Sequence, residues 1–165
     1  MSLRELMLAD LERGLAVVRA GREIVPAWRI FTPDGTYRIA TRFDPDKPDH
    51  RDLMLALVPR FMAWKLASAF VLTAETWLGP QRTRSGEEAV LTIGVTRHDR
   101  LGVIRRIRRI PALGFAAPEW LAADAIDDAY FRLQPAAASA VMADEAAMLA
   151  RMFGDNGEVP ARRVS

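Results

Sequence analysis

The sequence predicts an α+β fold: a single two-layer domain in which an antiparallel or mixed sheet of about five strands carries a central buried helix. The length of 165 residues fits one domain, and half of the residues are hydrophobic. Apolar residues recur at helical spacing in some segments and alternate strictly in others. The segment after Pro111 has a helical pattern again. We therefore expect one α+β domain over residues 1–153, ending in C-terminal helices, and a flexible tail over 154–165.

The first element is a predicted helix over residues 3–20. The segment SLRE at 2–5 has the capping-box pattern, in which the Ser2 and Glu5 side chains each accept from the other residue's backbone amide. Gly21 follows as a plausible end of the helix, since glycine readily adopts the left-handed conformation found there.

Two strands joined by a tight turn follow, over residues 24–31 and 36–43. Pro33 restricts φ in this turn, and the Asp34-Gly35 pair supplies the left-handed position. In the second strand, one face carries Tyr37, Ile39, Thr41 and Phe43, and the other carries Arg38 and Arg42. This alternation predicts a hairpin that is covered on one side.

The segment 50–66 is apolar nearly all round and predicts the central buried helix. Asp49 is positioned as its N-cap. Pro59 lies inside it and should kink the helix or divide it into two, because proline has no amide hydrogen to donate.

The apolar run 67–79 predicts a strand in the middle of the sheet. Residues 89–96 alternate cleanly, and 97–110 then returns as a hairpin. A further helix is expected around 135–153. Its methionine-rich stripe could adapt to a partner, so we predict a homo-oligomer.

The stretch GVIRRIRRIP at 102–111 allows two interpretations. Isoleucines three apart favour a helix, but the preceding strand, a turn and Pro111 favour a strand at the sheet edge, where charge discourages intermolecular pairing. We favour an edge strand neutralised by acids of the C-terminal region. Those acids are Asp124, Asp127, Asp128, Asp144 and Glu145.

The alternative is a basic hairpin, over residues 97–110, that binds nucleic acid. A two-stranded ribbon can enter the major groove of DNA, and arginine pairs bidentately with phosphate or guanine. The candidate residues of this site are Arg97, Arg100, Arg105, Arg106, Arg108 and Arg109, with Arg82 and Arg84 in the preceding loop. No aromatic residue lies near enough in sequence to form a stacking platform for single strands.

An acidic loop is the candidate metal site, with Asp44, Asp46, Asp49, His50 and Asp52. Alternate aspartates beside an imidazole can bind a hard cation. The order of residues departs from the calcium-loop pattern, since Pro48 occupies a ligand position and Leu55 replaces the bidentate glutamate. We therefore expect a helix cap there, with no metal and no cofactor.

Glu75 is the candidate catalytic residue of a hydrolase. It lies in the strand predicted for mid-sheet, where burial would raise the pKa of a carboxyl group and suit it to acid–base chemistry. Thr73 and Trp77 share its face of the strand. The alternative is a solvent-facing carboxylate paired with an arginine, and no companion residue of a known catalytic motif is present.

The segments TPDGTYRIATRF and ASAFVLTAETW resemble a loose group of uncharacterised bacterial and phage proteins. These proteins pair an N-terminal helix with a hairpin around a T-P-D-G turn and carry an apolar strand that ends in an E-x-W-like element, here Glu75-Thr76-Trp77. The resemblance covers about residues 3–110. It implies the order of the elements and no activity.

Composition bounds the function further. There is no cysteine, which excludes disulfides and thiolate chemistry and fits a reducing, cytoplasmic compartment. We expect neither a signal peptide nor a membrane span. The leading interpretation is a non-catalytic binding or assembly protein. A nucleic-acid-binding protein is the alternative, and a hydrolase that uses Glu75 comes third.

Overall fold

The computed structural model describes residues 1–41, 46–79, 86–122, 125, 135 and 141–164. These residues form three helices and eight strands. The helices are α1 (Leu3–Arg19), α2 (His50–Trp64) and α3 (Ala143–Met152). The strands are β1 (Ala27–Thr32), β2 (Gly35–Ala40), β3 (Ala69–Leu78), β4 (Glu87–Thr96), β5 (Arg100–Arg108), β6 (Gly114–Phe115), β7 (Glu119–Leu121) and β8 (Ala161–Val164). The predicted α+β class is confirmed.

All eight strands belong to one antiparallel sheet in the order β6-β5-β4-β3-β1-β2-β8, with β7 also paired to β5. β3 lies between β1 and β4, as its apolar sequence predicts. The prediction of about five strands was too low. The three additional strands are β6, β7 and β8, which are only two to four residues long and carry no alternation long enough to detect.

The domain has three layers where the sequence predicts two. Helices α2 and α3 pack on one face of the sheet, in a core that includes Trp28, Phe61 and Leu149. Helix α1 packs on the opposite face against Val71 and Val90. Both faces of the central strands are therefore buried, which explains their nearly continuous apolar sequences.

Two glycines allow α1 to approach the sheet closely. A Cβ atom on Gly14 of the helix would lie 2.8 Å from the Thr73 methyl group, and one on Gly94 of β4 would lie 2.5 Å from the Met7 sulfur. A larger residue at either position would force the facing side chains of this interface, or the helix itself, to move.

Helix α2 contains Pro59 and continues through it without division. Asp49 occupies the N-cap position of this helix as predicted, but its side chain accepts no hydrogen bond from the amides of the first turn. A bidentate ion pair from Arg60 to Glu145 joins α2 to α3, with Arg60 Nη2 2.8 Å from Glu145 Oε2. Glu145 is therefore engaged by α2 and not by the basic hairpin.

The chain after α3 returns to the sheet. Val159 is buried, and Ala161–Val164 forms β8 beside β2. The sequence predicts a flexible tail for residues 154–165, so the strand is a correction. β8 forms because the edge of β2 offers backbone hydrogen-bonding groups to any extended segment that reaches it.

The predicted helix around 135–153 begins later, at Ala143, and residues 136–140 lie outside the described part of the chain. No helix within the described residues is long and apolar enough to cross a membrane.

Candidate functional site

Three arginines lie side by side across β1, β2 and β8, and we call them the arginine row (Arg29, Arg38 and Arg162). The strand register places Arg29 opposite Arg38, and Arg38 opposite Arg162. Residues directly opposite each other share a face of the sheet, with Cβ atoms about 4.5–5.5 Å apart. Like charges at this distance repel each other, and the carboxylate of Asp10 offsets part of this repulsion at Arg29.

The arginine row lies on the same face of the sheet as α1. Trp28 and Ile30, the neighbours of Arg29, are fully buried in the core on the other face, and successive side chains of a strand point to opposite faces. Helix α1 packs chiefly over β3 and β4. The row therefore lies beside the helix, where a cleft opens between α1 and the β1–β2 hairpin.

Asp10 of α1 anchors the inner end of the arginine row. Its carboxylate is buried and accepts from Arg29 Nε at 2.7 Å and from the Thr73 hydroxyl at 2.7 Å. Thr73 in turn lies 2.7 Å from the Thr92 hydroxyl. Arg13, one helical turn after Asp10, approaches the same carboxylate at 3.4 Å. These contacts hold the Arg29 guanidinium in one orientation at the wall of the cleft.

The cleft has a volume of about 280 Å³ and carries charge on both sides. One side of the cleft carries Arg13 of α1 and Arg22, which follows the end of α1. The sheet side carries Arg29 and Arg38. The acids in its lining are Asp10 and Glu23. The remainder is largely apolar and consists of Gly14, Val17, Ile24, Val25, Ala27 and Thr73.

A second cavity of about 380 Å³ lies beside the cleft, toward the edge of the sheet, and extends to His50 and Met54 of α2. The two cavities share Val25 and Arg38, and the second contains Arg162, the last member of the arginine row. Its lining also includes Glu158, and His50 Nε2 lies 3.2 Å from the Glu158 carbonyl oxygen. We call the two cavities together the arginine groove.

The linker between α1 and β1 forms one wall of the arginine groove. Gly21 ends α1 with φ of 69°, the left-handed conformation predicted for it. The amide of Gly21 donates to the Val18 carbonyl and the amide of Arg22 to the Val17 carbonyl, which is the Schellman pattern. This turn directs residues 22–26 back along the helix toward the sheet.

Glu75 holds this linker in place. Its Oε1 accepts from the amide of Ile24 at 3.1 Å. Glu75 and Trp77 line a neighbouring cavity, as their shared face predicts, whereas Thr73 lines the arginine groove. The bond to Ile24 supports a structural role for the Glu75 carboxylate.

The basic hairpin does not form a sheet edge. β5 pairs with β4 on one side and with β6 and β7 on the other, so the prediction of an edge strand was wrong. The chain after Pro111 turns back along β5 and covers it with two short strands. The sequence contains no signal for this return, because each of these strands is too short to show periodicity.

Three of the hairpin arginines form ion pairs. Arg105 lies 3.2 Å from Glu12 of α1, Arg106 contacts Glu87 and Glu119, and Arg109 Nε donates to Glu88 at 2.7 Å. The hydrogen bond from Arg109 lowers the pKa of Glu88, against a smaller rise from burial. The charges of Arg105, Arg106 and Arg109 are thus balanced by acids of neighbouring elements.

The partners of the hairpin differ from those predicted. Glu145 binds Arg60, and Asp144 accepts from the Glu145 amide, whereas Asp124, Asp127 and Asp128 lie outside the described residues. The other hairpin arginines are Arg97 and Arg108, both exposed, and Arg100, half-buried at the start of β5. Arg82 and Arg84 also lie outside the described residues.

The acidic loop is only partly described, since Asp44 lies outside the described residues. Asp46 and Asp49 are exposed before α2, Asp52 is exposed in its first turn, and His50 reaches the arginine groove. Among described residues, no three histidine, aspartate or glutamate side chains are close enough together to hold a metal ion.

Sequence reasoning missed the residues of the arginine groove. Arg38 was placed correctly on the polar face of its strand, and Arg29 follows from the same alternation. Their juxtaposition depends on the hairpin register, and Arg162 lies in the segment predicted to be a tail. A signal was available in the hairpin, since aligning the two strands about the turn places two arginines on one face.

The chain matches no protein-family model, no curated protein and no solved structure. The function must therefore be inferred from the arginine row, the buried Asp10 and the cavities that they line.

Proposed function

We propose that this protein is a non-catalytic binding protein and that the arginine groove takes an anionic ligand. The observation that carries the proposal is the register of the arginine row, which places three guanidinium groups on adjacent strands. Guanidinium is the side-chain group best suited to bidentate recognition of carboxylate and phosphate. An anion over the row would relieve the repulsion among its members.

The groove is built on rigid elements, which favours binding. Arg29 and Arg38 belong to the central part of the β1–β2 hairpin, and Asp10 on α1 orients Arg29. A site of this kind needs little ordering when the ligand arrives, so less of the interaction free energy is lost. The apolar wall supplied by Val17 and Val25 can contact the less polar part of a ligand.

The two other interpretations receive less support from the geometry. In the basic hairpin, Arg105, Arg106 and Arg109 have four carboxylate partners among them, which weakens their attraction for nucleic-acid phosphate. In the groove, Arg13 and Arg29 share the single carboxylate of Asp10. Glu75 accepts from the linker amide and so has a structural task. Both therefore remain secondary proposals.

An NMR titration tests the proposal. Inorganic phosphate and citrate, added to the ¹⁵N-labelled protein at constant ionic strength, should shift the amide signals of Ile24, Arg29 and Arg38. Arg38→Gln should weaken binding about tenfold, which corresponds to one charge-assisted hydrogen bond. Arg97→Gln is the matched control, since it removes the same charge from an exposed turn.

The proposal would be contradicted if neither anion shifted those signals at millimolar concentrations. It would also be contradicted if Arg97→Gln weakened binding as much as Arg38→Gln, because binding would then follow net charge and not the groove. A circular dichroism spectrum of each variant verifies that it is folded.

A further inference from the structure

We infer that the ligand of the arginine groove carries several anionic groups in a line and is a chain of phosphoryl groups. This inference rests on the proposed function and makes its ligand more specific. It starts from the shape of the arginine row, since the three arginines follow the hydrogen-bonding direction of the sheet. Neighbouring strands lie about 4.7–4.9 Å apart, so the row is about 10 Å long.

One compact anion cannot use the whole row. A single phosphate or carboxylate accepts from one guanidinium, or from two that converge on it. Arg29 at one end is tied to Asp10, and Arg162 at the other end lies in the second cavity. A ligand that contacts both ends needs negative charge distributed along its length.

The two cavities lie side by side along the arginine row. Val25 and Arg38 line both of them, with Arg38 Nη2 3.4 Å from the Val25 carbonyl oxygen, and Arg13 and Arg22 line the first cavity from the side of α1 and the linker. Five arginines line the groove against three carboxylates, those of Asp10, Glu23 and Glu158. Asp10 is buried and engaged by Arg29, so the acids that would face the ligand are Glu23 and Glu158.

Phosphoryl groups suit this lining better than carboxylates. A linear polyphosphate presents acceptor oxygens on every unit, and each unit can accept a bidentate pair from one guanidinium. Two sources share this chemistry: an inorganic polyphosphate and the phosphate chain of a nucleotide. The apolar residues beside Arg22 and Arg29 offer a contact to a nucleotide that an inorganic chain would not use.

Isothermal titration calorimetry with a graded series of probes tests the inference. Orthophosphate, pyrophosphate, tripolyphosphate and ATP are titrated without divalent metal at constant ionic strength. Affinity should rise at least about threefold for each phosphoryl unit added, because each unit gains one partly exposed ion pair. If ATP binds more tightly than tripolyphosphate, the ligand is a nucleotide. If the two bind with equal affinity, the ligand is an inorganic polyphosphate. Either result supports the inference.

Three variants locate the binding. Arg162→Gln should remove the gain from pyrophosphate to tripolyphosphate and leave orthophosphate binding unchanged, since it shortens the row by one member. Glu23→Gln should tighten tripolyphosphate binding, since it removes a repulsive charge from the lining. Arg108→Gln, on the exposed end of β5, is the control and should change nothing.

Several outcomes would overturn the inference. Equal affinity for orthophosphate and tripolyphosphate in the groove would refute a multivalent ligand and leave the proposed function standing. No binding of any anion in the groove would refute both. Tripolyphosphate binding that depends on Arg108 and not on Arg162 would place the site on the basic hairpin. Duplex DNA that binds more tightly than tripolyphosphate and loses affinity in Arg162→Gln would replace a small ligand with nucleic acid.

Discussion

Asp10 is the residue on which the candidate site depends most directly. It is buried between α1 and the sheet, and it accepts from Arg29 and Thr73. A buried carboxylate is costly to desolvate, so its presence requires partners of this quality. The same contacts orient Arg29 for a ligand, which links the packing of α1 to the geometry of the groove.

Removing this carboxylate should destabilise the fold. We expect Asp10→Ala to lower the free energy of unfolding by about 3–5 kcal/mol, because Arg29 would keep a largely buried charge without its partner. Urea denaturation measures the change. Arg13→Ala is the control and should cost less than about 1 kcal/mol, since its side chain is half exposed and its contact with Asp10 is long.

The double variant Asp10→Ala/Arg29→Met separates the ion pair from the loss of packing. It should be more stable than Asp10→Ala alone, because no unpaired charge remains in the interior. A double variant less stable than the single one would show that Arg29 stabilises the fold without Asp10, through contacts that methionine does not reproduce.

Glu88 gives the protein a predictable response to acid. Its hydrogen bond from Arg109 lowers the pKa in the folded state below the ordinary value. The folded state therefore binds the proton less readily than the unfolded state, so this pair stabilises the fold at neutral pH. The contribution is lost as the pH falls below about 4.3 and through the lowered pKa.

The variant Glu88→Gln tests this response. It should reduce stability at pH 7 and reduce it less at pH 3, because protonation of Glu88, first in the unfolded state and then through the lowered pKa in the folded state, removes the contribution of the ion pair. Denaturation at the two pH values measures the difference. An equal loss at both would mean that the side chain contributes through packing and not through its charge.

At the scale of elements, α2 contributes Met54, Val58, Phe61 and Met62 to the core on its face of the sheet. Phe61 is 1% exposed, and its ring packs against Tyr37, Trp64 and Phe153. The helix thus joins β2 to the end of α3 through a cluster of aromatic rings. This cluster also holds the chain that leads into β8, and with it Arg162.

Replacing Phe61 with alanine should show how much the aromatic cluster contributes to the free energy of unfolding. We expect Phe61→Ala to cost about 3–5 kcal/mol, the usual range for a buried aromatic residue. Trp64→Ala should cost less, because Trp64 is only half-buried. Chemical denaturation of both variants measures the two costs. A loss below about 1 kcal/mol for Phe61 would mean that the core lies elsewhere.

At the scale of the whole molecule, self-association remains a prediction. Met142 is 67% exposed and Met148 is 37% exposed at α3, and methionine adapts well to a partner surface. We expect a homo-oligomer in sedimentation velocity at micromolar concentration. Met148→Glu should shift the equilibrium toward the monomer, and Leu8→Glu, a change on the exposed side of α1, is the control. A monomeric wild-type protein would end this prediction.

Local sequence determined much of the secondary structure. The Ser2 and Glu5 capping box is present as predicted and begins α1, and the apolar run of β3 lies in the middle of the sheet. These features depend on residues close together in the chain. The spacing of apolar residues determines which face of an element is buried, and capping requires only neighbouring groups.

The candidate site was decided by tertiary structure. Alternation places Arg29 and Arg38 on polar faces, but only the pairing of β1 with β2 sets them opposite each other. Arg162 joins them because β8 pairs with the free edge of β2. The ion pairs of the basic hairpin likewise depend on which acids the fold brings near. Contacts between distant segments arise from burying apolar surface and completing backbone hydrogen bonds across the whole chain, and local patterns do not encode which segments meet.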